Sequence, residues 1–240
     1  MSRADYMVFG LHFETLVHTN PTQELLIAFL MFAYLLAVVF GTKFTYESMM
    51  KHNFDKGVAV YYNRKIIHIL GAGVITLLFP ICFTALTIPA TLVLLLVLII
   101  YLPHRTNRLL YWFQVPENAY EVNFAIAWGI VIAFSWFFLG DPIYGVIPAL
   151  FMAFGDAVTG LVRNAVFKRR TKHWIGNLAM LFVCLPIGWF YAGTAGLVAA
   201  VVASIAEHFE YKPIDDNILI TLTSFVTLLI LRGALTVRAG

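Results

Sequence analysis

Residues 149–162 read ALFMAFGDAVTGLV. The stretch has the composition of a membrane-spanning helix except for Asp156, which sits in its middle beside Gly155. An ionised carboxylate at the centre of a bilayer costs roughly 2.5–3.5 kcal/mol even on the mildest insertion scales. Either this helix lies outside a membrane or the acid is kept for a purpose. The totals decide the first point. Of 240 residues, 61% are hydrophobic and 12% charged, with a mean hydropathy of +0.84, whereas soluble domains carry roughly 25% charged residues. The chain is expected to be an all-α, polytopic integral membrane bundle, one transmembrane domain over residues 1–240.

A spanning helix needs about 20 mostly apolar residues. Eight stretches qualify, at roughly 22–42, 65–83, 84–102, 122–140, 143–165, 175–192, 193–208 and 217–235. The second and third meet at Phe83–Thr84 and the sixth and seventh at Gly193, so both pairs read as tight hairpins. A seven-span count would move one terminus to the other side. The segment Arg105 to Tyr120 is too polar to span and is expected to hold a short interfacial helix at Leu109–Phe113. Cys82 and Cys184 lie inside apolar runs and do not suggest a disulfide framework. The first apolar run is long enough to span, and no cleavable leader is expected ahead of it.

Orientation follows from Lys and Arg placement. With eight spans, one side receives Lys43, Lys51, Lys56, Arg64, Lys65, Arg105, Arg108, Arg163, Lys168, Arg169, Arg170, Lys172 and Lys212; the other receives Arg3, Arg232 and Arg238. Thirteen against three makes the first side cytoplasmic and puts both termini outside. His68, Glu121, Asn123, Asp156, Glu207, Asp215, Asp216 and Asn217 fall at the same level. A purely structural bundle has no reason to collect acids, bases and amides at one end; a site for phosphate and a divalent metal does.

Four stretches carry that chemistry, each with a plainer reading beside it. In NRKIIHILGAG, Asn63 to Gly73, Arg64, His68 and Gly71 fall at i, i+4 and i+7 of a helix. Arg64 and Lys65 would serve as headgroup anchors, but His68 sits a turn deeper than an anchor needs, and Gly71 and Gly73 suggest close helix packing. In FGDAVTGLVRNAVFKRRTKHWIGN, Phe154 to Asn177, Asp156, Gly160 and Arg163 share a face and lead to the basic run Lys168 to Lys172. The plain reading is an Asp156–Arg163 pair for helix assembly; the functional one is a funnel for phosphate. In AEHFEYKPIDDNILITL, Ala206 to Leu222, one of Asp215, Asp216 and Asn217 suffices to cap a helix. The remaining oxygens, with Glu207, suit Mg²⁺, which is held by one or two carboxylates plus substrate phosphates. ENAYEVNF, Glu117 to Phe124, is the weakest, an interfacial turn as readily as a contribution to a site.

There is no G-x-x-x-x-G-K-[ST] loop, no H-E-x-x-H and no G-x-S-x-G elbow. The order of the motifs present resembles the family of dolichol kinase, phytol kinase and the CTP-dependent diacylglycerol kinase. The resemblance runs from about Arg64 to Leu222. It rests on R-K-x-x-H-x-x-G (Arg64, Lys65, His68, Gly71), on a G-D helix (Gly155, Asp156, Thr159, Arg163), and on E…D-D-N (Glu207, Asp215, Asp216, Asn217). Where the family has K-S-x-x-G-S, this chain has Lys172, His173, Gly176 and Asn177, so two hydroxyls are replaced. The loop after the G-D helix also lacks glycine over Asn164 to Phe167.

The resemblance implies phosphoryl transfer from CTP to the hydroxyl of a membrane lipid alcohol, with a divalent metal. It implies Asp156, Glu207 and Asp216 as metal ligands, and Arg64, Lys65, Gly155, Arg163, Lys172, Gly176 and Asn217 around the nucleotide phosphates. Asp156, Asp216 and His68 would be the catalytic groups, the proton acceptor being His68 or one of the acids. The expected partners are a lipid alcohol, CTP and membrane lipids, without nucleic acid. Among alcohols a long polyprenol such as dolichol leads, followed by phytol, geranylgeraniol and diacylglycerol. The alternatives are a cytidylyltransferase forming a CDP-lipid and, outside enzymes, a transporter with Asp156 as its ion site.

Overall fold

A computed structural model describes residues 6–8, 11–13, 20–168, 171–209 and 214–238, with side chains for 20–168, 171–209 and 214–232. Arg3, Arg169, Arg170, Lys212 and the side chain of Arg238 lie outside the described residues. The expected all-α bundle is what forms. Two three-residue strands, β1 (Tyr6–Val8) and β2 (Leu11–Phe13), pair antiparallel before it. The helices are α1 (Pro21–Lys51), α2 (Lys56–Cys82), α3 (Thr87–Arg105), α4 (Tyr120–Leu139) and α5 (Ile143–Phe167). Then comes the span Trp174–Glu207, followed by α8 (Asp216–Arg238).

The Trp174–Glu207 span is two helices. Ala192 and Gly193 leave the helical region, Gly193 with φ 54° and ψ −132°, a left-handed conformation that glycine adopts without a Cβ penalty. The chain doubles back, giving α6 (174–191) and α7 (194–207), whose backbones touch at Gly188 and Gly196. The eight expected segments therefore all form. At 1.5 Å per residue α7 is only about 21 Å long, short of a hydrocarbon core of about 30 Å. Among the described residues, six helices, with 174–207 taken as one, are long and apolar enough to cross a membrane.

Local chemistry sets the ends. Asn20 and Gln23 cap α1 reciprocally, each side chain accepting the other's backbone N–H at 2.9 and 3.0 Å, with Pro21 in the first turn. Asp55 accepts from Gly57 and Val58 at the start of α2. Gly140, at φ 68°, closes α4. The expected interfacial helix at Leu109–Phe113 does not form. That stretch is a turn, pinned where Gln114 Oε1 accepts the Leu110 N–H and where the buried Trp112 indole donates to Val39 O at 3.0 Å. Asn63 locks the same turn down, donating to Thr42 O (2.6 Å) and Trp112 O (2.9 Å).

α5 is the central helix, packed against α2, α4, α6, α7 and α8. Its residues Val146, Ile147, Ala149, Leu150, Phe151, Met152 and Ala153 are fully buried. The outer surface is the reverse: Phe182 is 83% exposed, and Phe44, Leu94 and Phe137 stand out beside it, the pattern of a lipid-facing bundle. Hydrophobic burial gives little drive between helices in lipid, so close packing of small residues takes over. A Cβ at Gly73 would press into the Phe154 ring, one at Gly155 into Cys184, and one at Gly145 into the Val131 carbonyl.

Two π-helical turns interrupt this packing, Ile67–Gly73 in α2 and Phe151–Asp156 in α5, and they touch each other. A π turn inserts a residue and rotates the rest of the helix about its axis. His68 and Asp156 both lie within these turns.

A buried carboxylate and cation cluster at one end of the bundle

Successive helices place the first half of α2, the end of α5, Lys172 and His173 ahead of α6, the end of α7 and the start of α8 at the same end of the bundle. From these elements come the residues singled out in the sequence. Asp156, 1% exposed, accepts two hydrogen bonds from Lys65 Nζ, at 2.7 Å to Oδ1 and 2.6 Å to Oδ2; Lys65 is itself 3% exposed. His68 Nδ1 lies 3.3 Å from Asp156 Oδ2, near enough for an electrostatic contact but not an aligned hydrogen bond. The plain Asp156–Arg163 pairing does not occur. Arg163, a turn and more further on, instead forks onto Glu207, Nη1 to Oε1 at 2.7 Å and Nη2 to Oε2 at 2.8 Å.

Arg163 also donates to His173 O and to Asn177 Oδ1, so one guanidinium ties α5 to both arms of the hairpin. Lys172 Nζ reaches Asp216 Oδ2 at 2.7 Å, Glu207 Oε1 at 3.1 Å and Glu207 O at 2.8 Å. Partial burial acts to lower the Lys172 pKa, yet the Asp216 and Glu207 carboxylates outweigh it and hold the ammonium above its ordinary range. One oxygen each from Asp156, Glu207 and Asp216 falls within a group spanning no more than 4.8 Å. Three acids separated by at least nine residues in sequence thus converge from α5, α7 and α8.

The three consecutive polar residues at the start of α8 divide their work. Asp215 Oδ1 accepts the Ile218 N–H and acts as the cap, while its Oδ2 accepts from Asn123 at 3.0 Å. Burial and the neighbouring Asp216 charge push the Asp215 carboxyl up to about 6. Asp216 faces the cluster, and Asn217 donates to Tyr120 O and Asp215 Oδ2. Arg64 lies with its guanidinium 4.1 Å from the Tyr120 ring centroid, and its Nε has no hydrogen-bond partner.

Several expected site residues pack rather than point. Gly155 lies against Met180 and Cys184, and Gly176 leaves room for the Arg163 side chain and Thr159. Gly160 faces Tyr61 and Lys65. Glu121 is drawn away from the cluster: it accepts from Gln114 at 2.7 Å and pairs with His104 at 2.6 Å. The two departures from K-S-x-x-G-S have structural roles. His173 Nδ1 accepts the Ile175 N–H and caps α6, and Asn177 joins Arg163, Glu207 and the Ser204 carbonyl. Asn177 and Tyr61 are cluster residues that the sequence reading missed. The asparagine was visible there only as a substituted serine, and the tyrosine only as an aromatic one turn before Lys65.

The donor set is carboxylate oxygen, without thiolate or imidazole among the three converging acids, which suits a hard cation such as Mg²⁺ or Mn²⁺ over Zn²⁺. In comparisons with known proteins, no protein-family model, no curated protein and no solved structure matches the chain.

Proposed function

We propose that the protein transfers the γ-phosphoryl group of CTP to the hydroxyl of a membrane lipid alcohol, a polyprenol such as dolichol being favoured, at the cytoplasmic face. The observation that carries this reading is the convergence of Asp156, Glu207 and Asp216 beside the buried cations Lys65 and Arg163 and the partly buried Lys172. Phosphoryl transfer asks mainly for positioning and charge neutralisation, and that is what these side chains offer. The cytoplasmic assignment follows from the thirteen-to-three distribution of Lys and Arg. CTP as donor follows from the family resemblance.

Asp156, Glu207 and Asp216 would hold a divalent cation, which neutralises charge on the β- and γ-phosphates when bound. Lys65, Arg163 and Lys172, which pair with these carboxylates, then turn their donors to phosphate oxygens, and Arg64 adds its unpartnered Nε. With its proton on Nδ1, facing Asp156, His68 leaves Nε2 to accept the hydroxyl proton. The lipid oxygen forms a bond to the γ-phosphorus as the bond to the β,γ-bridging oxygen breaks; lipid phosphate and CDP leave, and the proton rests on His68.

The test is purified protein in detergent with Mg²⁺, CTP labelled at either the γ- or the α-phosphate, and a panel of lipid alcohols. Label reaching lipid from the γ-position, abolished by Asp216→Ala in a protein that still folds, is the expected result. Transfer from the α-position would make the protein a cytidylyltransferase instead. If neither label reaches any lipid, and Asp156→Asn behaves as the wild type does, the enzyme reading is overturned in favour of a transporter or an assembly network.

A further inference from the structure

Resting on that reading, we infer that the acceptor's chain lies in an apolar cleft which opens between α1 and α3 and ends at His68. The cleft is a cavity of about 150 Å³ bounded by α1, α2, α3 and α4. On α1 it runs from Ala28 to Val39, eleven residue steps or about 16 Å at 1.5 Å per residue. Its outer rim, Met31 and Phe32 on α1 and Leu92 and Leu96 on α3, is half-buried at the surface of the bundle. Its floor is aromatic, formed by Phe79, Phe124 and Trp128.

Only His68 and Glu121 among its lining residues are ionisable. The one other polar hydrogen of the floor, on the Trp128 indole, is engaged by Thr76 Oγ1 at 2.8 Å. His68 is the joint between the cleft and the carboxylate cluster. Its ring centroid lies 4.3 Å from that of Phe124, which lines the cleft, with the two rings tilted by 39°, and its Nδ1 lies 3.3 Å from Asp156 Oδ2. An alcohol whose chain fills the cleft therefore has its hydroxyl at the imidazole that borders the phosphate-handling residues.

The lining also limits the chain. An apolar cavity of about 150 Å³ stays dry and holds a benzene-sized group, so the cleft orders the first five or six carbons, and the rest of the tail stays in lipid. A single unesterified chain leaves no acceptor unpaired there. A diacylglycerol would bring two ester carbonyls into a lining with no free donor but His68, at the cost of burying them unbonded. The cleft thus selects a one-chain alcohol over a glyceride.

A farnesol bearing a diazirine beside its hydroxyl, photolysed with the full-length protein in nanodiscs, tests this. Label is expected on the α1, α2 and α4 peptides that border the cleft around His68. Ala72→Leu and Ala125→Leu, two separate fillings of it, are each expected to cut labelling and farnesol turnover by roughly tenfold or more while Mg·CTP affinity stays at the wild-type value. A diacylglycerol diazirine probe is expected to label roughly tenfold less. Label elsewhere, full labelling of both filled variants, or equal labelling by the glyceride would each overturn the cleft assignment, and wild-type phosphorylation of prenols would then leave the kinase reading standing. Cleft labelling without phosphorylation of any alcohol would sink the kinase reading and leave a lipid site.

Discussion

The Lys65–Asp156 pair separates a structural ion pair from a site that a metal can enter, and its energetics can be worked through. At 2.6–2.7 Å between charged atoms, an effective dielectric of about 20 gives roughly 6 kcal/mol of attraction. Desolvating each partner costs several kcal/mol, so the pair as a whole contributes little net stability. Removing one partner is different, because the other stays buried and uncompensated, a loss of about 3–5 kcal/mol. Asp156→Asn and Lys65→Gln should each cost about that much. The double variant, whose two amides can still hydrogen-bond, should cost only about 1 kcal/mol, a strongly non-additive cycle. Equilibrium unfolding in mixed micelles, followed through the tryptophan fluorescence, reads all four proteins.

The same variants in a Mn²⁺ titration ask whether the carboxylates bind a cation. Lys65→Gln frees Asp156 and leaves the cluster one charge more negative, so it should bind Mn²⁺ more tightly than wild type; Asp156→Asn should bind far more weakly. If Asp156→Asn is as stable as wild type within about 1 kcal/mol, Lys65 is hydrated and the buried-pair argument fails. If metal affinity is unchanged in all the variants, Asp156 is not a ligand.

Three further outcomes rest on other contacts. Arg163→Lys keeps the charge but loses the fork onto Glu207 and the bond to Asn177, so it should lower stability by about 2–3 kcal/mol in the same unfolding assay. Gly196→Ala would drive a methyl group into the Gly188 carbonyl across the α6–α7 turn; a backbone clash cannot relax cheaply, and a loss at the upper end of the 1–3 kcal/mol overpacking range, about 3 kcal/mol, should appear as a lower melting temperature. Asp215 is raised from 3.8 to about 6, so its ionisation opposes folding. The protein should lose stability as pH rises through about 4 to 6, by on the order of 3 kcal/mol above pH 6, and Asp215→Asn should flatten that stretch of the pH–stability curve.

How much of this was legible in the sequence depends on what each feature is made of. The spans were, because lipid exposure demands apolar runs of a fixed length; so was the turn at Gly193, because an apolar stretch of 34 residues is too long for one straight span and a glycine within it is the natural place to turn. The acids and bases of the cluster were legible as intruders in apolar helices. What the sequence hid was phase. Regular helical spacing put Arg64, His68 and Gly71 on one face, but the π turn at Ile67–Gly73 rotates the residues beyond it: Arg64 goes to Tyr120, His68 towards Asp156 and Gly71 against Leu35. Pairing was hidden as well. Asp156 and Arg163 lie on one face of the same helix by regular spacing, yet each finds its partner on another helix, since a buried charge takes the best geometry available across the bundle. Glu121 looked like a neighbour of the cluster until His104 and Gln114 claimed it.

The charges of the cluster bear on both a structural and a catalytic reading. Asp156, Glu207 and Asp216 are matched by Lys65, Arg163 and Lys172, three against three, so the cluster is close to neutral as it stands. A bare divalent cation entering it would create excess positive charge beside Lys65, Arg163 and Lys172. A nucleotide triphosphate alone would meet three carboxylates. Brought in together, the two have a net charge near −2, the carboxylates turn to the cation and the Lys and Arg donors to the phosphates, and Arg64, whose Nε lacks a partner, takes up part of the remainder. Neutrality without ligand thus favours joint binding of metal and nucleotide over either alone. An inert ion-pair network would be equally neutral but would show no such coupling. Mn²⁺ affinity measured with and without CTP is the quantity that tells them apart: an increase of roughly tenfold with nucleotide supports a site, and no change supports the network.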